Sequence, residues 1–159
     1  MKVKVLMVCL GNICRSPLAE GILQSKVDPT KIFVDSAGTA GYHIGTAPDP
    51  RSIEVANKHH IDISRQRCRK FQVEDFDSFD HIFVMDRENY SNVCSLALSD
   101  DHRKKVRLLL EKTDSNYSEV PDPYYGGQDG FQEVYHLIDK ACDMLIQDLL
   151  APNDHRNES

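Results

Sequence analysis

The chain has 159 residues, 40% of them apolar and 28% charged, with a net charge of -6. One domain of this size buries about two thirds of the surface its unfolded chain exposes, and nothing in the composition marks a disordered or fibrous protein. The acidic balance excludes a protein that holds nucleic acid by neutralising its backbone, so any phosphate chemistry has to be local.

Lys2 to Val8 alternates briefly and then becomes continuously apolar, which predicts a strand buried on both faces. The apolar run from Val5 to Leu10 is too short for a membrane span or a signal-peptide core and lacks a small-residue cleavage site, so a cytoplasmic, membrane-free protein is expected. Five cysteines (Cys9, Cys14, Cys68, Cys94 and Cys142) are an odd number in a chain that can fold unaided, which argues against a disulfide framework. The chain turns through Gly11. Ser16-Pro17 then reads as an N-cap and first helical position, with Glu20 in the first turn and Leu18, Ile22 and Leu23 as an apolar stripe.

Ile32 to Val34 is a second short strand, and Asp49-Pro50 caps a helix to about His59 with Ile53 and Ala56 inward. His81 to Met85 is a third buried strand, followed by Asp86 as a cap and a helix carrying Tyr90, Val93 and Ala97. Val106 to Leu110 is a fourth strand. Asp129 with Gln132 forms a capping pair for a long amphipathic helix carrying Phe131, Val134, Ile138, Ala141, Leu145 and Leu149. The stretch from Tyr117 to Gly130 reads as a long loop of the kind that is functional or mobile. Residues 1–151 form the single domain and 152–159 a polar tail.

Strands that alternate with helices predict an α/β, three-layer sandwich: a four-stranded parallel sheet flanked by helices. Ligands of such folds bind beyond the carboxyl ends of the strands, and the sequence "CLGNICRSP" lies there, after the first strand. Cys9 and Arg15 are five residues apart, with Ser16 next. The spacing alone is weak. Its context, between a strand and a helix, sharpens it, because successive backbone N–H groups from Leu10 to Ser16 would line an anion nest at the positive end of the helix. A helix N-terminus and a nearby guanidinium favour a thiolate at Cys9.

Arg15 offers a planar fork for two phosphate oxygens. Gly11 permits the turn, and Asn12 tolerates a left-handed backbone while bracing the loop. The Ser16 hydroxyl can donate to the thiolate. These parts suggest phosphoryl transfer to Cys9 followed by hydrolysis, and the leaving group then needs a carboxylic acid. Two Pro-Asp-Pro tripeptides compete for that role. Asp49 already caps a helix, so Asp122 is the better acid.

The segments "CLGNICRSP", "DSAGT", "PDPRS" and "DPYYG" together resemble the low-molecular-weight protein tyrosine phosphatases over nearly the whole chain. The resemblance implies the phosphotyrosine protein phosphatase I-like fold and no metal or organic cofactor. It implies Cys9 as nucleophile, Arg15 as phosphate clamp and Asp122 as general acid and base. It also implies a phosphate loop through Leu10, Gly11, Asn12, Ile13, Cys14 and Ser16, braced by Ser36. The implied partners are phosphotyrosine proteins or small aryl phosphates, with inorganic phosphate as product. Cys14 is expected to form a reversible disulfide with Cys9 under oxidation. Tyr42 falls at one aromatic wall of the family's pocket, and Tyr124 and Tyr125 at the other. One departure bears on how Asn12 is held: after "HHIDIS" the family carries a supporting histidine, whereas this chain has Arg65-Gln66.

Three rival functions fit these residues less well. A thiol-based arsenate reductase would need a resolving pair of cysteines, and Cys94 has no partner seven residues away. Protein arginine phosphatases resemble this loop with threonine in place of Ile13. A noncatalytic phosphate-binding module would be expected to lose Cys9 or Asp122. Cys68, Cys94 and Cys142 read as structural, His59-His60 as a solvated helix end, and the run Arg65, Arg67, Arg69 and Lys70 as solvated surface.

Overall fold

The structure, a computed structural model, describes residues 2–111, 113, 118–123 and 127–150, with 127–129 described by their backbone only. Tyr124, Tyr125, the side chain of Asp129 and the tail from 152 to 159 therefore lie outside the described residues. In chain order the elements are β1 (Val3–Cys9), α1 (Arg15–Lys26), β2 (Ile32–Gly38), α2 (Pro50–Asn57), α3 (Asp75–Ser78), β3 (His81–Val84), α4 (Arg87–Cys94), α5 (Asp100–Lys104), β4 (Val106–Leu108) and α6 (Gly127–Leu149). Among the described residues no helix is long and apolar enough to cross a membrane.

All strand pairs are parallel and the sheet order is β2-β1-β3-β4. The unbroken apolar run of β1 follows from its position. Val5 and Met7 face a core shared with Leu18, Ile22, Phe83, Val134 and Ile138, while Leu6 and Val8 face a second core with Phe76, Ile82, Val84 and Val93. Val5, Leu6, Met7 and Val8 are all fully buried, and each such side chain contributes roughly 1.5–3 kcal/mol by leaving water. A charge at any of them would break the sheet's central strand. Helices α1, α2 and α6 pack against one another over the first core.

From β1 the chain crosses to β2 on one side, and β3 then lies on the other side of β1. Strand order therefore reverses between β1 and β3, and a crevice opens at their carboxyl ends. The loops that follow these two strands carry Cys9 to Arg15 and Asp86.

Several expected boundaries shift, each for a tertiary reason. Helix α1 begins at Arg15 with Cys14 at its N-cap and no side-chain cap, so Ser16 and Pro17 lie inside the first turn. Ser16 cannot cap because its hydroxyl is engaged by Cys9 and Asn12. Glu20 falls beyond the first turn and reaches across to β2. Strand β2 runs on to Gly38, since Asp35 to Gly38 continue the pairing with β1. Helix α6 starts at Gly127, which puts Asp129 within the helix and not at its cap. The short helices α3 and α5 were not anticipated; their polar sequences carry no apolar period. His59 is half-buried, stacked on Tyr135 at 3.9 Å between ring centroids, and not a solvated helix end. Arg69 leaves the basic run and pairs with both Asp35 and Asp75 at 3.1 Å.

The capping roles of Asp49 and Asp86 are as expected: Asp49 accepts from Arg51 N, and Asp86 from Asn89 N. An N-cap of this kind contributes about 1 kcal/mol.

Candidate active site

Cys9 is the last residue of β1 and is 3% exposed. The loop it opens is held from outside at four carbonyls. Thr39 N–H donates to Cys9 O and Ala40 N–H to Leu10 O, both at 2.9 Å, and Asp49 N–H donates to Ile13 O at 2.8 Å. The Cys68 thiol donates to Asn12 O at 2.7 Å, which gives that cysteine a structural task beside the loop. Asn12 takes the left-handed backbone the sequence allows it, with φ of 56°. Gly38 lets the loop lie against β2: a Cβ there would meet Leu10 O at 2.8 Å and Asn12 N at 3.0 Å.

Two donors converge on the Cys9 sulfur. Asn12 N–H lies 3.3 Å from Sγ, and Ser16 Oγ lies 3.0 Å from it. The Asn12 amide donates to Ser16 Oγ at 2.8 Å and to Ser36 Oγ at 3.0 Å, while its Oδ1 accepts from Arg69 N at 3.0 Å. A hydroxyl has one proton. Because Ser16 accepts from Asn12, its own proton can be directed at Sγ.

The departure at Arg65-Gln66 is thereby resolved: Asn12 is braced by the Arg69 backbone, and Gln66 donates instead to Pro17 O at 3.1 Å.

Arg15 is 5% exposed, and its Nη1 donates to Asp86 Oδ2 at 2.8 Å and to Val120 O at 2.9 Å. Burial opposes its charge, but Cys9 and Asp86 outweigh burial and hold the guanidinium more firmly charged than usual. Asp86 thus does two things at once, capping α4 through Oδ1 and tethering Arg15 through Oδ2. The same contacts carry the loop bearing Asp122, because Val120 N–H also donates to Met85 O at 2.8 Å.

Cys14 is buried, and burial first, then Asp49 and Cys9, push its thiol up to about 12. Asp49 is bound to the α2 N-terminus and to Arg51 at 3.0 Å.

An open cavity of about 210 Å³ sits at this end of the sheet, lined by Cys9, Leu10, Gly11, Ile13, Cys14, Arg15, Tyr42, His43 and Asp122. It brings together the predicted thiol, arginine and carboxylate with one predicted aromatic. Asn12, Ser16 and Ser36 stand behind it as buried supports. Tyr42 is 77% exposed at the rim. Four participants were missed in the sequence: Asp86 as a tether, His43 on the wall, Gly38 as a close approach and Glu20 behind Ser36. Gly38 sits inside "DSAGT", where a glycine at the end of a strand was a usable signal. For the other three the local sequence gives none.

Comparison with known proteins places this geometry in a family context. The family model for low molecular weight phosphotyrosine protein phosphatase matches residues 4–154. The Synechocystis sp. protein slr0328 is 44% identical over 151 residues, which cover 92% of this chain and 96% of that one. The low molecular weight phosphotyrosine protein phosphatase of Schizosaccharomyces pombe is 42% identical over 150 residues, covering 90% of this chain and 95% of its own. Among solved structures, a protein tyrosine phosphatase from Entamoeba histolytica superimposes with a TM-score of 0.89 at 34% identity, over 99% of this chain and 100% of that one.

Proposed function

The chain belongs to the low molecular weight phosphotyrosine protein phosphatase family, and from that premise we propose that it hydrolyses phosphotyrosine and aryl phosphate monoesters through a cysteinyl phosphate on Cys9. The observation that carries this reading is the shared cavity: a sulfur receiving two hydrogen-bond donors, a buried arginine and an exposed carboxylate line one concavity.

In the first step Cys9 thiolate attacks phosphorus and the bond to the phenolic oxygen breaks. Asp122, as the neutral acid, gives its proton to the departing phenoxide. In the second step Asp122 carboxylate takes a proton from water, and that water attacks the phosphocysteine. Inorganic phosphate leaves and the thiolate is restored. Arg15 is tied at Nη1, so this reading assigns its Nε and Nη2 edge to two phosphate oxygens, where its charge offsets the charge that spreads in the transition state. Ser16 and Asn12 donate to the sulfur and make it a better leaving group in the second step. Leu10, Gly11 and Ile13 supply loop backbone to the phosphate. Tyr42 at the rim would flank the substrate ring, a role the resemblance also gives to Tyr124 and Tyr125, and Ile13 favours phosphotyrosine over phosphoarginine.

The same reading makes Cys14 a redox guard. Oxidation of Cys9 by peroxide to the sulfenic acid, followed by attack of the Cys14 sulfur with loss of water, would store the nucleophile as a disulfide. A reducing cytoplasm would return it.

The test is hydrolysis of p-nitrophenyl phosphate by purified protein in the presence of a chelator, and a comparison of phosphotyrosine, phosphoserine and phosphoarginine peptides on one preparation. Metal-independent turnover with phosphotyrosine strongly preferred supports the reading. Metal-dependent activity that survives Cys9→Ser overturns it.

A further inference from the structure

We infer that Glu20 is a positioning residue for Cys9: it is the far anchor of a hydrogen-bonded chain that orients the Ser16 proton, and its charge state modulates the reactivity of the sulfur. The inference rests on the reading of Cys9 as nucleophile.

The chain can be followed atom by atom. Ser36 Oγ donates to Glu20 Oε1 at 2.7 Å, and Asn12 Nδ2 donates to Ser36 Oγ at 3.0 Å. The same nitrogen donates to Ser16 Oγ at 2.8 Å, and Ser16 Oγ lies 3.0 Å from Cys9 Sγ. An amide nitrogen only donates, so both serines accept from Asn12 and each has one proton left to give outward. One proton goes to Cys9 and the other to Glu20. The network is therefore a two-armed hub with an acidic group at each end, and Asn12 at its centre is fixed by Arg69 N on Oδ1.

Glu20 sits where its charge can change. It comes from α1 and is mostly buried, and burial pushes its carboxyl up to about 7; the Ser36 hydrogen bond opposes that rise only in part. Two charged groups face it. Asp35 on β2 disfavours its ionisation, and Arg69, from the segment after α2, favours it. Arg69 is itself shared between Asp35 and Asp75, which leaves it a weak partner for Glu20.

When Glu20 is ionised, Ser36 donates to it and becomes a stronger acceptor, which draws the Asn12 nitrogen toward β2. Two bonds from one nitrogen compete, so the grip on Ser16 loosens and the sulfur is less tightly solvated. When Glu20 is protonated its own proton can point at Ser36, and the pull on Asn12 is lost.

The experiment measures the alkylation rate of Cys9 by iodoacetamide, read by peptide mass spectrometry, in the wild type and in Glu20→Gln. The ratio of wild-type to variant rate is expected to rise by roughly twofold or more between about pH 6 and about pH 8. A ratio that stays flat across that range overturns the inference. Should Glu20→Gln fold poorly, the wild type answers by NMR: the Asn12 side-chain amide must shift with the same midpoint as the Glu20 carboxyl carbon. An Asn12 amide that ignores the Glu20 titration is equally fatal. Neither readout uses a substrate, so failure here leaves the phosphatase reading standing, whereas absence of any phosphate-ester hydrolysis strikes that reading by itself.

Discussion

Replacing Gly38 with alanine probes how the sheet places the phosphate loop. A Cβ at this position would lie 2.8 Å from Leu10 O and 3.0 Å from both Asn12 N and Gly11 C, all backbone atoms of the loop. Ordinary contact begins at 3.4 Å, so the loop must retreat by about 0.6 Å. It cannot swing freely, because Thr39 and Ala40, the next two residues, hold Cys9 O and Leu10 O. Overpacking of this kind costs roughly 1–3 kcal/mol, and in a chain of this length each kcal/mol lowers Tm by about 2–4 °C. The kinetic effect should be larger than the stability effect suggests. A misplacement of about 1 Å can cost a hundredfold in rate, so this smaller shift predicts a loss of roughly tenfold in kcat/KM for p-nitrophenyl phosphate. The contrast is Gly21→Ala, whose Cβ would meet the Ile63 branch methyl Cγ2 at 2.5 Å, a side-chain contact away from the cavity. That variant should melt earlier and keep its kcat. Wild-type kcat/KM and Tm in Gly38→Ala would mean that the loop does not depend on the missing Cβ at this position.

Asp86→Asn should keep the α4 cap but lose the charge that holds Arg15. A hydrogen bond to a charged group contributes about 1.5–3 kcal/mol, so steady-state kinetics should show a roughly 10- to 100-fold fall in kcat/KM, and because the bond already exists in the free enzyme Tm should fall by roughly 3–12 °C. Asp86→Ala should lose a further 1 kcal/mol or so of stability with the cap, visible in urea unfolding. Glu20 gives a stability trend of definite sign. The folded state raises its carboxyl from 4.5 to about 7 and so binds the proton more tightly than the unfolded chain. Its contribution is most favourable below pH 4.5 and is lost as pH rises to about 7, a decline of up to about 3 kcal/mol, which Glu20→Gln should flatten in denaturant titrations. Because burial keeps the Cys14 thiol protonated at neutral pH, mild alkylation should spare it. Hydrogen peroxide should yield a Cys9–Cys14 disulfide by mass spectrometry in the wild type and irreversible loss of activity in Cys14→Ser.

The parallel sheet was legible because β1 is buried on both faces and its sequence says so residue by residue. The caps at Asp49 and Asp86 were legible because an acidic side chain bonding its own helix is a local event. What the sequence hid was which partner several polar side chains take across the fold. Arg15 and Asp86 are 71 residues apart, and no period or spacing links them. Ser16-Pro17 has the local chemistry of a helix start, yet Cys9 and Asn12 take the hydroxyl and the helix begins two residues earlier. Arg69 looked like one member of a basic run, but two carboxylates and the Asn12 amide give it a different environment from Arg65 and Arg67. Glu20 was read through its own helix, while its partner is on β2.

If Cys9 is the nucleophile, phosphate passes through its sulfur. Rapid acid quench of the enzyme with p-nitrophenyl phosphate, followed by peptide mass spectrometry, tests it directly. A peptide containing Cys9 that carries one added phosphoryl group, formed at a rate that can support turnover and absent in Cys9→Ser, is the predicted result. Steady turnover with Cys9 never phosphorylated, or phosphate found on another residue, would contradict it.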